Sequence, residues 1–352
     1  MKVLAGLPFL VALARAVSLD LEKRASPLDI KLEMIGNSAV KATVTNTGST
    51  NLKIFKTGSF LDEAAVEKVD VFSGAEKVEF DGLRLTVSTA GLTEDAFQTI
   101  AAGEIVEVEW DIAAVHDLSA GGAFDVVAKG AVSYAEEDST EIAGVVPFSS
   151  NVLTAEVDGA AAAKIRREFH DLAKRQIVQS DCTGTKRTAT INALSNCRSL
   201  AAAASQAAAS GAAAKMTEYF KSSTTTTRNT VAAVFARVAS ECGSSTAGVS
   251  RQYCSDVYSS CSSGVLAYTL PSQSYMVNCN LYFTALTALT RTCHAQDQAT
   301  TTLHETTHLT QIKGTSDYGV YGYNAVRSLT AAQNLNHADT YSLFANAIYA
   351  GC

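Results

Sequence analysis

The chain has 352 residues, 28 basic and 35 acidic, for a net charge of −7. That total describes neither half: from Gln176 onward there are 11 basic and 8 acidic residues, and before it 17 and 27. No basic cluster suggests nucleic-acid binding as a main function, and a surplus of +3 is too small to argue from; no segment beyond the N-terminus has the length and apolarity of a membrane helix.

Lys2 precedes an apolar run from Val3 to Ala14, and Ala14-Arg15-Ala16 supplies small residues for a cut. The run is too short to span a bilayer and has the layout of a secretory signal peptide over residues 1–16. Export to the extracellular space is therefore expected. All eight cysteines lie at or beyond Cys182, and an even number in an exported chain implies disulfides.

The N-terminal part has strand patterning. Val40 to Thr45 alternates before the turn Asn46-Thr47-Gly48, and Val66 to Phe72, Leu83 to Val87 and Ile105 to Trp110 repeat the alternation. Short strands between turns predict an all-β, sandwich-like fold. Residues 159–175 read as a helical or extended tether ending in the dibasic pair Lys174-Arg175. The charge switch and the first cysteine fall at the same place. Residues 17–175 are thus expected to be a propeptide and 176–352 the mature domain, separated by a dibasic processing protease.

The C-terminal part reads as mainly helical. One helix covers much of 187–220. A second carries Val231, Val234, Phe235, Val238 and Cys242, with Asn229 or Thr230 as its cap and Gly243 as its stop. Cys197 and Cys242 could staple the two. Apolar stretches flanking Pro271-Ser272-Gln273-Ser274 predict a β-hairpin within 264–283. Helices are expected again over 285–293, 298–311, 324–335 and 338–350. The 177 residues from Gln176 suffice for one core.

His304-Glu305-Thr306-Thr307-His308 carries the chemistry. On a helix, residues four apart lie on one face, so both imidazoles can reach one zinc ion. Glu305 then projects beside the metal, where it can take a proton from water. Asp297 and the threonines after it can start that helix. A catalytic zinc needs a third protein ligand. No Glu follows His308, which removes a downstream glutamate ligand, and Gln311 and Gly314 stand where the metzincin pattern needs Gly and His. The remaining candidates are Asp317, His337 and Asp339. Glycines 314, 319 and 322 favour Asp317 by letting the chain turn back to the metal. Asp339 suits the cap or first turn of the last helix, or else a partner of a ligand or a substrate-binding acid.

His304-Glu305-x-x-His308 followed by Gly314-Thr315-x-Asp317 resembles the deuterolysins, the fungal members of the aspzincin metalloendopeptidases. Signal peptide, long propeptide ending in Lys-Arg, the Cys293-His294-Ala295-Gln296-Asp297-Gln298 segment and the terminal Cys352 fit the same family. The resemblance implies a zincin-like α+β mature domain with one Zn2+ held by His304, His308 and Asp317, and Glu305 as general base. It implies disulfides 182–254, 261–279 and 293–352, leaving Cys197 and Cys242 to pair with each other. It departs from the family where Val320 stands three residues after the Asp and Tyr321-Gly322 comes one later, as a one-residue insertion. Tyr321 and Tyr282 are the candidate tyrosines for stabilising the oxyanion. The implied activity is hydrolysis of proteins by a monomeric enzyme, with the propeptide as inhibitor and folding aid. The rival reading is a non-enzymatic, disulfide-stapled secreted protein with a structural zinc, although structural sites usually offer four cysteine-rich ligands.

Overall fold

The computed structural model describes residues 26–174, 181–243 and 248–352. The expected signal peptide and the bond after Arg175 lie outside the described residues.

The N-terminal region is built from antiparallel strands. Leu28–Met34 and Ala39–Asn46 pair as a hairpin, and Ile105–Asp111 flanks the second strand. Leu28, Ile30 and Leu32 face inward with Val40, Ala42 and Val44, which is the period of two expected of a strand with one buried face. Two further four-stranded sheets enclose the same core. One runs Ile142–Ser149, Lys129–Ala135, Leu52–Phe55, Phe97–Ile100; the other runs Leu153–Val157, Gly122–Val127, Asp70–Ser73, Glu76–Lys77. Between Val66 and Phe72 only the residues from Asp70 onward pair as a strand. The helix Gly159–Lys174 follows.

The C-terminal region packs helices around a second core. Gly184–Ser210 lies against Thr225–Cys242, bridged by Cys197–Cys242, with Ala213–Phe220 between them in sequence. The helix beginning at Thr225 starts earlier than the expected cap at Asn229 or Thr230. Thr224 is the cap, its hydroxyl accepting from Thr227 N–H at 3.3 Å. The other disulfides are 182–254, 261–279 and 293–352. Val265–Leu270 and Tyr275–Asn278 form the expected hairpin, and Arg251–Tyr253 adds in parallel.

The expected helix over 285–293 does not form. A short helix spans Asn280–Ala285 instead. Side chains hold the backbone beyond it: Gln298 donates to the Leu286 carbonyl, Asp297 accepts from Thr290 N–H, and Asn346 accepts from His294 N–H. The remaining helices are Gln298–His308, Gly322–Ser328, Ala331–Asn334 and Ala338–Ala350.

The alternating stretch Leu83 to Val87 does not join the N-terminal sheets. Its residues Arg84–Val87 add antiparallel to Val265–Leu270, at the edge of the C-terminal sheet. Leu85 and Val87 turn into an apolar cluster shared by both regions, with Phe55 and Phe97 from one and Tyr253, Tyr268 and Tyr321 from the other. Fully burying a side chain of this size is worth about 1.5–3 kcal/mol, so the strand is attached by packing as well as by its ladder.

Candidate metal centre

The helix Gln298–His308 is rich in threonine, a poor helix former, and it forms for local and tertiary reasons. Asp297 and Thr300 make a reciprocal cap: the Asp297 carboxylate accepts from Thr300 N–H at 2.7 Å, and the Thr300 hydroxyl accepts from Asp297 N–H at 3.1 Å. Thr302 and Thr306 donate their hydroxyls to the carbonyls four residues back. Every residue of the helix is buried.

Beyond the helix, left-handed backbone at Gly314, Tyr318 and Gly319 reverses the chain. Ser316 is tied to the start of the last helix, donating to the Asn336 carbonyl and accepting from Ala338 N–H. Asp317 is thereby brought back beneath the two histidines. Its Oδ1 lies 3.2 Å from His304 Nε2 and 3.3 Å from His308 Nε2. All three atoms are buried, and none has a hydrogen-bond partner among the described residues.

That convergence of three orphaned polar atoms fits a metal. Two ligands on bonds of about 2.0–2.1 Å to a tetrahedral ion lie about 3.3 Å apart. The other ring nitrogens are already committed. His304 Nδ1 lies 2.8 Å from Asp339 Oδ1, and His308 Nδ1 lies 3.0 Å from the Thr315 carbonyl. Such partners orient a ligating imidazole and leave Nε2 free for the ion. Asp339 is buried in the first turn of Ala338–Ala350, and its second oxygen accepts from Gly322 N–H at 2.6 Å. His337 spends both nitrogens elsewhere, on Thr340 and the Val320 carbonyl. Among the described residues, His304, His308 and Asp317 are the group of three able to share an ion.

Glu305 is buried with each carboxylate oxygen held by a threonine of different origin. Thr269, on the strand Val265–Leu270, donates to Oε2 at 2.6 Å, and Thr86, on the N-terminal strand, donates to Oε1 at 2.6 Å. Burial raises the Glu305 pKa, opposed by the two imidazoles and both hydroxyls. Asp317 behaves oppositely: burial pushes it up, but His308 and His304 outweigh that and hold it well below the ordinary carboxylate range.

The tyrosines separate. Tyr321 is buried, its hydroxyl lying under the turn at Gly58, where an added Cβ would come 2.3 Å from it. Burial drives its pKa well above the usual value, reinforced by the charges of Asp317 and Asp339. Tyr282 bonds to the first half of the metal helix, donating to the Gln298 carbonyl at 3.2 Å with Thr302 Oγ1 at 3.1 Å.

N-terminal residues close the other side. Leu85 N–H donates to Asp317 Oδ2 at 3.3 Å, and Arg84 reaches Ser316 at 3.2 Å and Glu67 at 2.6 Å. Burial pushes Glu67 up, but Arg84 and Lys77 outweigh it and hold its pKa at about 2. A cavity of about 540 Å³ lies between the regions, with Lys77 and Arg84 on one wall and His308 and Tyr318 on the other. Thr86 and Thr269, which hold Glu305, carry no sequence signal beyond being ordinary polar residues.

A family profile described as the deuterolysin metalloprotease (M35) family matches residues 1–352. A neutral protease 2 homolog of Colletotrichum graminicola is 65% identical over 353 residues, covering 100% of both chains. Another, from Phaeosphaeria nodorum, is 60% identical over 346 residues, covering 97% of each. Among solved structures, a zinc peptidase from Grifola frondosa aligns with a TM-score of 0.40 at 23% identity, covering 47% of this chain and 97% of that one.

Proposed function

This chain belongs to the deuterolysin (M35) metalloprotease family, and on that premise we propose that His304, His308 and Asp317 hold one Zn2+ per mature chain while Glu305 is the general base. The observation that carries this reading is the meeting of three buried, otherwise unpartnered atoms, two Nε2 and one carboxylate oxygen. Bound there, zinc supplies Lewis acidity towards water and the scissile carbonyl.

The protein groups then divide the work. With Oε2 held by Thr269, Oε1 of Glu305 is the oxygen that takes the proton from the attacking water and later returns it to the leaving amine. Tyr321 donates its hydroxyl to the developing oxyanion, a role supported by its place on the wall of the same cavity as Asp317 and His308. Tyr282 contributes by steadying the metal helix through Thr302. Asp339 orients His304.

The rest of the reading concerns the precursor. Residues 1–16 direct export, which four disulfides support. A dibasic processing protease cuts after Lys174-Arg175, and residues 17–175 assist folding and keep the enzyme latent. The strand Arg84–Val87 across the metal centre supports latency, since it stands where an extended substrate would have to pass.

Casein hydrolysis by the mature protein, with and without a chelator, tests the activity. Loss on chelation and recovery with Zn2+ are expected; hydrolysis unaffected by metal removal would defeat the reading. N-terminal sequencing should find Gln176, and a Lys174→Ala/Arg175→Ala precursor should be inactive. A fully active, verified uncut precursor would remove latency while leaving the zinc site standing.

A further inference from the structure

The N-terminal strand at the metal centre has two polar edges. One pairs with Val265–Leu270, Arg84 opposite Thr269 and Thr86 opposite Ala267, and the pairing continues as Ser88 N–H donates to the Gly264 carbonyl at 2.7 Å. The other edge presents the main-chain groups of residues 85, 87 and 89 to side chains of the site. Leu85 N–H goes to Asp317. Gln296 takes the next two: its Nε2 donates to the Val87 carbonyl at 2.8 Å, and its Oε1 accepts from Thr89 N–H at 2.9 Å and from the Thr89 hydroxyl at 3.2 Å.

A carboxamide offers one donor and one acceptor side by side. Applied to a carbonyl and to the N–H two residues on, it reproduces what a neighbouring strand would supply. Gln296 is well placed to do this rigidly. It directly precedes Asp297, the cap of the metal helix, and it follows Cys293, which is bridged to Cys352. His294 between them is pinned by Asn346. Two of the three contacts are to main chain, and these would serve any extended peptide with a free N–H at the second position.

We propose that Gln296 is a substrate-binding residue of the mature enzyme: once residues 84–89 leave, it clamps the main chain of the extended peptide that takes their path, on the C-terminal side of the cleaved bond. This rests on the reading that the strand occupies the substrate path. The side follows from order along the strand, since Thr86 is the residue at Glu305 and Val87 to Thr89 lie C-terminal to it. The clamp excludes proline or N-methylation at the residue matching Thr89, because either removes the hydrogen that Oε1 accepts.

The test uses zinc-loaded mature enzyme and a cleavable extended peptide with its single N-methyl variants. Gln296→Leu should raise KM about tenfold with kcat and zinc content little changed, as for loss of main-chain hydrogen bonds to a bound peptide. For the wild type, one N-methyl position beyond the cleaved bond should lower kcat/KM about tenfold. That penalty should vanish in Gln296→Leu and persist in Gln296→Glu, which keeps the acceptor and loses the donor. An unchanged KM in Gln296→Leu, or an equal N-methyl penalty in wild type and Gln296→Leu, overturns the clamp. A wild-type mature protein that cleaves nothing would overturn the proposed function itself, and the clamp with it.

Discussion

The two halves of the molecule are stabilised by different means. The C-terminal region is helical, carries all four disulfides and buries a polar centre inside its core. The N-terminal region has no cysteine. It relies on three sheets around an apolar core and on charge pairs such as Glu67 with Arg84 and Asp70 with Lys77. They meet through one borrowed strand, the apolar cluster around Leu85 and Val87, and a smaller one that packs Val320 and Leu329 with Ala131 and Val145. The difference teaches that the cross-links all lie within the part that carries His304, His308 and Asp317, while no disulfide ties that part to the one that covers it.

The largest effects should come from breaking the metal centre. Asp317→Ala should lose zinc and activity together, because two histidines leave the ion short of a protein ligand. Metal content of the purified variant checks this; a zinc-replete Asp317→Ala protein would overturn the ligand assignment. Glu305→Gln should keep zinc and fold while hydrolysis falls by at least ~10², the usual scale for a general base. Near-normal turnover in that variant would remove the mechanism.

Reduction should sharpen the contrast between the halves. Losing a native disulfide costs about 2–5 kcal/mol, and here the whole loss falls on the C-terminal region. Hydrogen exchange of the reduced precursor should show protection lost from Gly184–Ser210 and Thr225–Cys242 before Leu28–Met34 and Ala39–Asn46. Simultaneous loss would mean the shared cluster couples the regions into one cooperative unit.

Asp339→Ala is expected to be milder than Asp317→Ala. Removing a partner that orients a ligating histidine typically costs about 10–100-fold in metal affinity or activity. Titrating zinc against a competing chelator measures it, and affinity equal to wild type would show that the His304 contact is not used.

The smallest effect is a pH dependence confined to the covering half. His116 is fully buried, neither ring nitrogen has a hydrogen-bond partner among the described residues, and burial pushes its pKa down to about 4. An unfolded histidine titrates near about 6.5. Between these values the unfolded state binds a proton that the folded state refuses. The neutral histidine's contribution is therefore full above about 6.5 and is lost as pH falls towards 4, by about 1.4 kcal/mol per unit. Urea unfolding of the N-terminal region at pH 7 and pH 5 should show the drop, and His116→Leu should reduce it. An identical slope in the two proteins would assign the effect to other groups.

Much of the metal centre was legible because its logic is local. A spacing of four puts His304 and His308 on one helix face whatever surrounds the helix. The absence of a later glutamate narrowed the third ligand, and the glycines around Asp317 marked a chain reversal. The eight cysteines, even in number and confined to one half, announced a cross-linked domain. The expected helix over 285–293 failed because side chains of Gln298, Asp297 and Asn346, distant or just downstream, satisfy that backbone in an irregular path.

The alternation of Leu83 to Val87 identified a strand but could not say which edge it joins. Period-two patterning reports that one face is buried and carries no information about the partner. Only the tertiary structure decided that the partner is Val265–Leu270. The same holds for Thr86 and Glu305, which are 219 residues apart, and for Gln296 with Val87 and Thr89. Their hydrogen bonds depend on where two separately cored regions come to rest against each other, and no local propensity encodes that placement.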